Sequence, residues 1–316
     1  MYSLFNLVYQ LARTARPRQW LKNLSIFAAP VFSGMLFNRD VLSLGLKSFV
    51  AFCLVSSGAY FVNDIMDREN DRQHPIKKNR PIASGKIPVW LGWFAAFILM
   101  FGPLFWAYQS IGRFFAYSLM IYITLQILYS SYFRNVIILD SLVVGAGFVI
   151  RVFAGGVGTG TSLSSWLVLA TIGLSLLLAF GKRRSEKTLL RKYNSNNSGG
   201  TRVTLQKYPE TLLDSMISMS ASICVISYSL FTFQIPSGET GETLANLLPN
   251  TLKSPKWMMV TIPLVIYGVA RYLFAIYERE DAESPERVLL SDKPLLATVA
   301  LWGLAILSVV YIIPKF

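Results

Sequence analysis

The sequence predicts an all-α integral membrane protein, with nine transmembrane helices in a single transmembrane domain over residues 1–316. Three observations carry that expectation. Of the 316 residues, 53% are hydrophobic and only 15% charged, against about 25% charged in an average soluble domain. Apolar runs long enough to cross a bilayer, which takes about 20 helical residues, recur from one end of the chain to the other. The loops between them alternate between rich and poor in Lys and Arg.

In order, spans are expected at 22–38, 41–62, 89–108, 111–130, 135–155, 163–181, 214–234, 256–278 and 294–314. The first is short and contains Pro30, so it is the weakest of the nine. No cleavable signal peptide is expected, since the start lacks a compact basic segment, an isolated apolar stretch and a small-residue cleavage site. Cys53 and Cys224 fall inside spans, where a thiol acts as a small apolar side chain, so neither a disulfide nor a thiolate metal site is expected.

The net charge of +13 would suit a nucleic-acid partner, but its distribution argues otherwise. Most of the 30 basic residues lie in alternate segments: Arg13 to Lys22, Arg68 to Lys86, Arg134, Lys182 to Lys207, and Arg279 to Lys293. The positive-inside rule then places the N-terminus in the cytoplasm and the C-terminus outside a multi-pass cell membrane. Membrane lipids are the expected surroundings, and no nucleic-acid partner is expected. Nothing in the sequence requires a homo-oligomer, although one is compatible with it.

Two loops on the inner side are longer than a connection needs, 63–88 and 182–213. The tract "NSNNSGG" in the second reads as a surface insert. "AGGVGTGTSLSS" falls on the outer side and reads as a tight turn in preference to a phosphate cradle. The outer loop 235–255 suggests no chemistry.

The first inner loop opens with "NDIMDREND". Continuing the preceding helix puts Asp64, Asp67 and Asp71 within roughly 60° of one another. Like charges so crowded repel unless a cation joins them. Magnesium, which binds oxygen and takes one or two carboxylates plus substrate phosphates, suits this set, with Asn63 as a neutral oxygen donor. The competing reading is a solvated helix end whose acids pair with Arg68 and Arg72.

In "GKRRSE", Lys182, Arg183 and Glu186 share a helix face. Topology alone explains the bases but not Glu186, and a base pair beside a carboxylate suits phosphate oxygens with a metal or a hydroxyl. In "RPRQWLKN", Arg16, Arg18 and Lys22 are candidates either for a lipid phosphate or for interfacial anchoring beside Trp20. Arg80 in "NRPIASG" is a further phosphate candidate, because a guanidinium can fork to two oxygens. Asp140 and Arg151 sit eleven apart on one face of a span, where charges pair or line a cavity. They pair with each other, or Arg151 reaches substrate. His74, the only histidine, reads as incidental. The acidic stretch 277–292 lacks one-face spacing and ranks below the first loop.

At "NDIMDREND" and "NRPIASG" the chain resembles the UbiA superfamily of intramembrane prenyltransferases. The resemblance implies a nine-helix bundle and magnesium-bound diphosphate at two aspartate-rich motifs. The first motif carries over to Asn63, Asp64, Asp67 and Asp71. The second departs: "GKRRSE" has one carboxylate, Glu186, where many members have two aspartates. That departure, with "RPRQWLKN" and "SPERVLLSDKPLLATVALW", resembles the polyprenyl-phosphate phosphoribosyltransferase branch.

This branch implies transfer of 5-phosphoribose from phosphoribosyl pyrophosphate to a polyprenyl phosphate, with Mg²⁺. It implies that Asp64, Asp67 and Asp71 bind metal and that Lys182, Arg183 and Glu186 hold the donor. Arg72 and Arg80 would take diphosphate or 5-phosphate, and Arg16 and Lys22 the lipid phosphate. Tyr208 and Asp214 are weaker candidates. The alternative within the superfamily is transfer of a polyprenyl chain from its diphosphate to an aromatic acid such as 4-hydroxybenzoate. A transporter or non-catalytic lipid-binding protein is a more distant reading, disfavoured because the charges gather at one boundary instead of at broken helices near the midplane.

Overall fold

The computed structural model describes residues 4–73, 77–193, 208–234, 256–278 and 285–313. Among these residues every regular element is helical, and eight helices are long and apolar enough to cross a membrane. They are Arg39–Met66, Val89–Ser110, Arg113–Ser131, Leu139–Thr159, Ser165–Thr188, Glu210–Gln234, Trp257–Glu278 and Lys293–Ile312. They correspond to the second through ninth expected spans.

The expected first span, 22–38, is not a membrane-length helix. After helix α1 (Leu4–Ala15) the chain forms a 3-10 helix over Pro17–Phe27, then a short α2 (Ala28–Phe32), then a turn. Pro30 supplies the physical reason. It has no N–H to return to the carbonyl four residues earlier, which is that of Ile26. That carbonyl instead lies against Gly155, where an added Cβ would stand 1.9 Å from it.

The described residues fall into two compact units. The first combines residues of Met1–Ala28 with Asn38–Thr161. It contains α1, the 3-10 helix, α3 (Arg39–Met66), α4 (Arg68–Gln73), α5 (Val89–Ser110), α6 (Arg113–Ser131) and α7 (Leu139–Thr159). Helix α3 is its axis, packing against α1, the 3-10 helix, α5, α6 and α7. Asn38 caps α3, its side chain accepting from the N–H groups of Asp40 and Val41, as an N-cap asparagine should. The core of this unit includes Phe52, Val55, Phe61, Met100, Phe115, Leu119 and Tyr122.

The second unit combines Ala29–Phe37, Ser162–Lys192 and residues from Tyr208 onward. It holds α2, α8 (Ser165–Tyr193), α9 (Glu210–Gln234), α10 (Ile262–Glu278), α11 (Pro285–Ser291) and α12 (Lys293–Leu307). Leu167, Tyr228, Phe231, Met258 and Ile306 form its core, and the Tyr228 hydroxyl accepts from the Trp302 indole at 2.9 Å. Helix α5 alone exposes Trp90, Trp93, Phe94, Phe97, Phe101 and Phe105. Apolar surface on that scale is what hydrocarbon covers and water does not tolerate.

The glycine-rich "AGGVGTG" belongs mostly to α7. Only Gly160 makes the expected turn, closing the helix at φ 68° in the left-handed region that favours glycine.

Candidate active site

Helix α3 carries Asn63 and Asp64 to its last turn and stops at Met66. Asp67 occupies the cap, with φ −88° and ψ 0°, and α4 starts afresh at Arg68. Backbone hydrogen bonds from the Asp67 N–H to the Asn63 carbonyl at 2.9 Å and from the Asp71 N–H to the Asp67 carbonyl at 2.8 Å carry the helical repeat across this break. Asp64 and Asp71 are both buried and share one guanidinium: Arg80 donates to Asp64 Oδ1 at 3.2 Å and to Asp71 Oδ2 at 2.6 Å. Asp67 instead pairs with Arg134, from the short 3-10 turn Phe133–Asn135.

The loop after α4 places Arg80. Ile82, Ala83 and Ile87 of that loop are buried, and Arg72 Nε donates to the Ala83 carbonyl at 3.1 Å. Arg72 also reaches Glu69 at 3.2 Å, and Arg68 lies 3.9 Å from the same carboxylate. The aspartates therefore pair with Arg16, Arg80 and Arg134, and not with Arg68 and Arg72 as the solvated-end reading expects. Arg16, held in the left-handed region at φ 53°, donates to Asp64 Oδ1 at 2.5 Å and lies over the Tyr60 ring at 5.0 Å.

Among the described residues, no three acidic, histidine or cysteine side chains gather tightly enough to hold a metal by themselves. The donor set still fits magnesium. Asp64 and Asp71 supply hard oxygens within one cluster, and Asn63 Oδ1 is buried with no hydrogen-bond partner. Magnesium characteristically takes one or two carboxylates and completes its shell with water and substrate phosphate. His74 lies outside the described residues, as does the tract 194–200.

Arg151 is buried in α7 and does not pair with Asp140. Its Nε donates to Asn23 Oδ1 at 2.7 Å, Nη1 to the Gly147 carbonyl at 2.8 Å, and Nη2 to the Tyr122 hydroxyl at 2.7 Å. Eleven residues of helix is about 16 Å along the axis, beyond the joint reach of the two side chains. Lys22, on the 3-10 helix, is half-buried.

The second motif belongs to the second unit. On α8, Arg183 donates to Glu186 Oε2 at 2.8 Å and Lys182 Nζ lies 3.9 Å from Glu186 Oε1. Arg183 is buried, and Lys182 and Glu186 are partly exposed. Arg184 bonds Asp214 at 2.9 Å and approaches Glu210 at 3.5 Å, while the Tyr277 hydroxyl donates to Asp214. Tyr208 is buried, and its carbonyl accepts from Lys187. Of the acidic stretch 277–292, Asp292 serves structure. It caps α12 by accepting from the Leu295 N–H and binds Arg271 through both oxygens at 3.1 Å.

Sequence reasoning missed Arg134, Tyr60, Tyr122 and Asn23 as neighbours of charged groups. Tyr60 had a signal, one turn before Asp64 on the same face. Arg134 had none beyond its place in a basic inner loop.

Residues 27–192 match the UbiA prenyltransferase family. Over 98% of this chain and 90% of its own length, a decaprenyl-phosphate phosphoribosyltransferase of Corynebacterium glutamicum is 33% identical. A protein of the same name from Mycolicibacterium smegmatis is 33% identical over 94% of this chain and 91% of its own. Among solved structures, a UbiA homolog from Archaeoglobus fulgidus bound to GPP and Mg²⁺ superposes with a TM-score of 0.67. That pairing covers 96% of this chain and all of the homolog at 21% identity, a likeness of fold. The chain belongs to the UbiA prenyltransferase family.

Proposed function

We propose that this protein transfers 5-phosphoribose from phosphoribosyl pyrophosphate to a polyprenyl phosphate, releasing diphosphate at the cytoplasmic face of the cell membrane. The observation that carries this reading is the composition of the second motif. Glu186 is its single carboxylate, and Lys182 and Arg183 are turned onto it. A donor bearing a diphosphate and a 5-phosphate, together with a phosphorylated acceptor, asks for cations where a prenyl diphosphate asks for a second acidic pair. Relatives named decaprenyl-phosphate phosphoribosyltransferase, about one-third identical over nearly the whole chain, support the same reading.

In this scheme Asp64 and Asp71, with Asn63 beside them, hold magnesium, and Asp67 supports them through its pairing with Arg134. When bound, magnesium neutralises the charge that develops on the departing diphosphate. Lys182 and Arg183 bind donor phosphates, and Glu186 orients the ribose hydroxyls. Arg80 forks to phosphate oxygens once it is released from the two aspartates, and Arg16 and Lys22 attract the lipid phosphate. An oxygen of that phosphate bonds to the anomeric carbon as the bond from that carbon to the diphosphate oxygen breaks. The electron pair leaves with the diphosphate. The acceptor is already ionised near neutral pH, so no strong general base is required.

The test offers purified protein, with and without magnesium, labelled phosphoribosyl pyrophosphate and a polyprenyl phosphate. A parallel arm contains a polyprenyl diphosphate and 4-hydroxybenzoate. Magnesium-dependent label in the lipid phase of the first arm is expected. Product in the second arm alone would replace this function with aromatic prenylation.

A further inference from the structure

Arg151 presents a charge without a counter-charge. It is 5% exposed, and its hydrogen-bond partners are an amide oxygen, a backbone carbonyl and a phenol. The Tyr122 and Phe148 rings lie 4.8 and 5.4 Å from its guanidinium carbon. Among the described residues no carboxylate is paired with it. A buried cation in a membrane span is costly unless an anion joins it. Three of the five guanidinium N–H groups are engaged, so donors remain for a further oxygen.

The surroundings narrow the choice of anion. Arg151 lies twelve residues into α7, about 18 Å along its axis, and its side chain turns back one turn to the Gly147 carbonyl. Phe52 packs against Tyr122 at 5.4 Å and against Phe115 at 5.8 Å. A soluble ion would have to shed its water to enter such walls, whereas a phosphate carried on a hydrocarbon chain arrives with the tail that suits them. Tyr60 carries Arg16 over its ring and stands one helical turn before Asp64.

We infer that Arg151, with Asn23 and Tyr122, forms an intramembrane pocket for the phosphate of a lipid monophosphate, the acceptor in the proposed reaction. The inference rests on that reading for the identity of the lipid but not for the existence of the pocket. The ligand's charge completes an ion pair that the protein leaves open, and Asn23 keeps it open: an aspartate there would neutralise the guanidinium internally.

Two variants test this, Arg151→Met and Asn23→Asp, the second keeping the guanidinium and the side-chain shape. Binding to purified full-length protein is measured for a polyprenyl monophosphate, the matching polyprenol, inorganic phosphate and phosphoribosyl pyrophosphate. Wild type is expected to prefer the lipid phosphate over the alcohol by about tenfold or more, and both variants to lose that preference. Binding of phosphoribosyl pyrophosphate should be unchanged and inorganic phosphate should bind weakly throughout. Wild-type preference in both variants overturns the pocket. So does loss of phosphoribosyl pyrophosphate binding with lipid preference intact, which would assign Arg151 to the donor. If neither variant is recovered folded, a photoreactive polyprenyl monophosphate on wild type decides: label in residues 17–27 or 139–159 supports the pocket, and label confined elsewhere overturns it. Lipid-phosphate binding through Arg151 without any phosphoribose transfer would sink the proposed reaction and leave the pocket standing.

Discussion

The two ionic clusters are built on opposite plans. Around Asp64 and Asp71 the acids are buried and the bases come from afar: Arg16 is 48 residues from Asp64, Arg80 is 16 residues from it, and Arg134 is 67 residues from Asp67. Around Glu186 the acid is partly exposed, and Arg183 and Lys182, which pair with it, are three and four residues away on the same helix. A long-range cluster forms only when the unit has folded, and it fixes loops to the end of α3. A local pairing is available as soon as α8 is helical. The contrast suggests a division of labour, in which the first cluster is acid-centred and assembled from distant segments and the second is base-centred with pairs made within one helix.

The largest expected effect breaks the first cluster chemically. Asp64→Asn should lower phosphoribosyl transfer by roughly a hundredfold to a thousandfold while the protein still inserts and purifies as a single species. Near-normal turnover would remove the acid cluster from the reaction. Arg80→Met leaves two buried carboxylates without their shared guanidinium and should cost about 3 kcal/mol of stability. Thermal unfolding should then show magnesium recovering more stability in the variant than in wild type. A variant indifferent to magnesium would count against Asp64 and Asp71 as ligands.

Gly155→Ala sharpens the comparison from the packing side. An added methyl would meet the Ile26 carbonyl at 1.9 Å, so a loss of about 1–3 kcal/mol is expected, read as a lower unfolding temperature. Arg183→Met should raise the KM for phosphoribosyl pyrophosphate about tenfold and change stability less than Arg80→Met does. The reverse order would contradict the division of labour. Arg72→Ala, which loses the exposed pair with Glu69 and the hydrogen bond to the Ala83 carbonyl, should cost about 1 kcal/mol of stability.

Particular residues show how much of this was legible beforehand. The eight long helices followed from length and apolar content, because a span must satisfy its backbone internally and present apolar side chains to lipid. The segment 22–38 had the composition of a span without the structure of one. Its fate turned on Pro30 and on the approach of Gly155 to Ile26, and the second of these involves a residue more than a hundred positions away. Asp64, Asp67 and Asp71 were named together from spacing; Asp64 and Asp71 share Arg80, and the pairing of Asp67 with Arg134 was not foreseen. Arg80 was named as a phosphate candidate, and its hold on the two aspartates was not foreseen. Arg134 looked like topology alone. The Asp140–Arg151 pairing was set aside by distance along a single helix, a quantity available from spacing but not weighed against side-chain reach.

By itself the sequence determined the membrane class, the helical content and which acidic and basic motifs stand at helix ends, since periodicity and composition act over a few turns. Tertiary structure alone decided which arginine answers which aspartate, where α3 ends, and that Arg151 lies among neutral partners. Those outcomes depend on distances between segments far apart in the chain, and a Coulomb interaction or a hydrogen bond takes effect only after packing has brought its partners together.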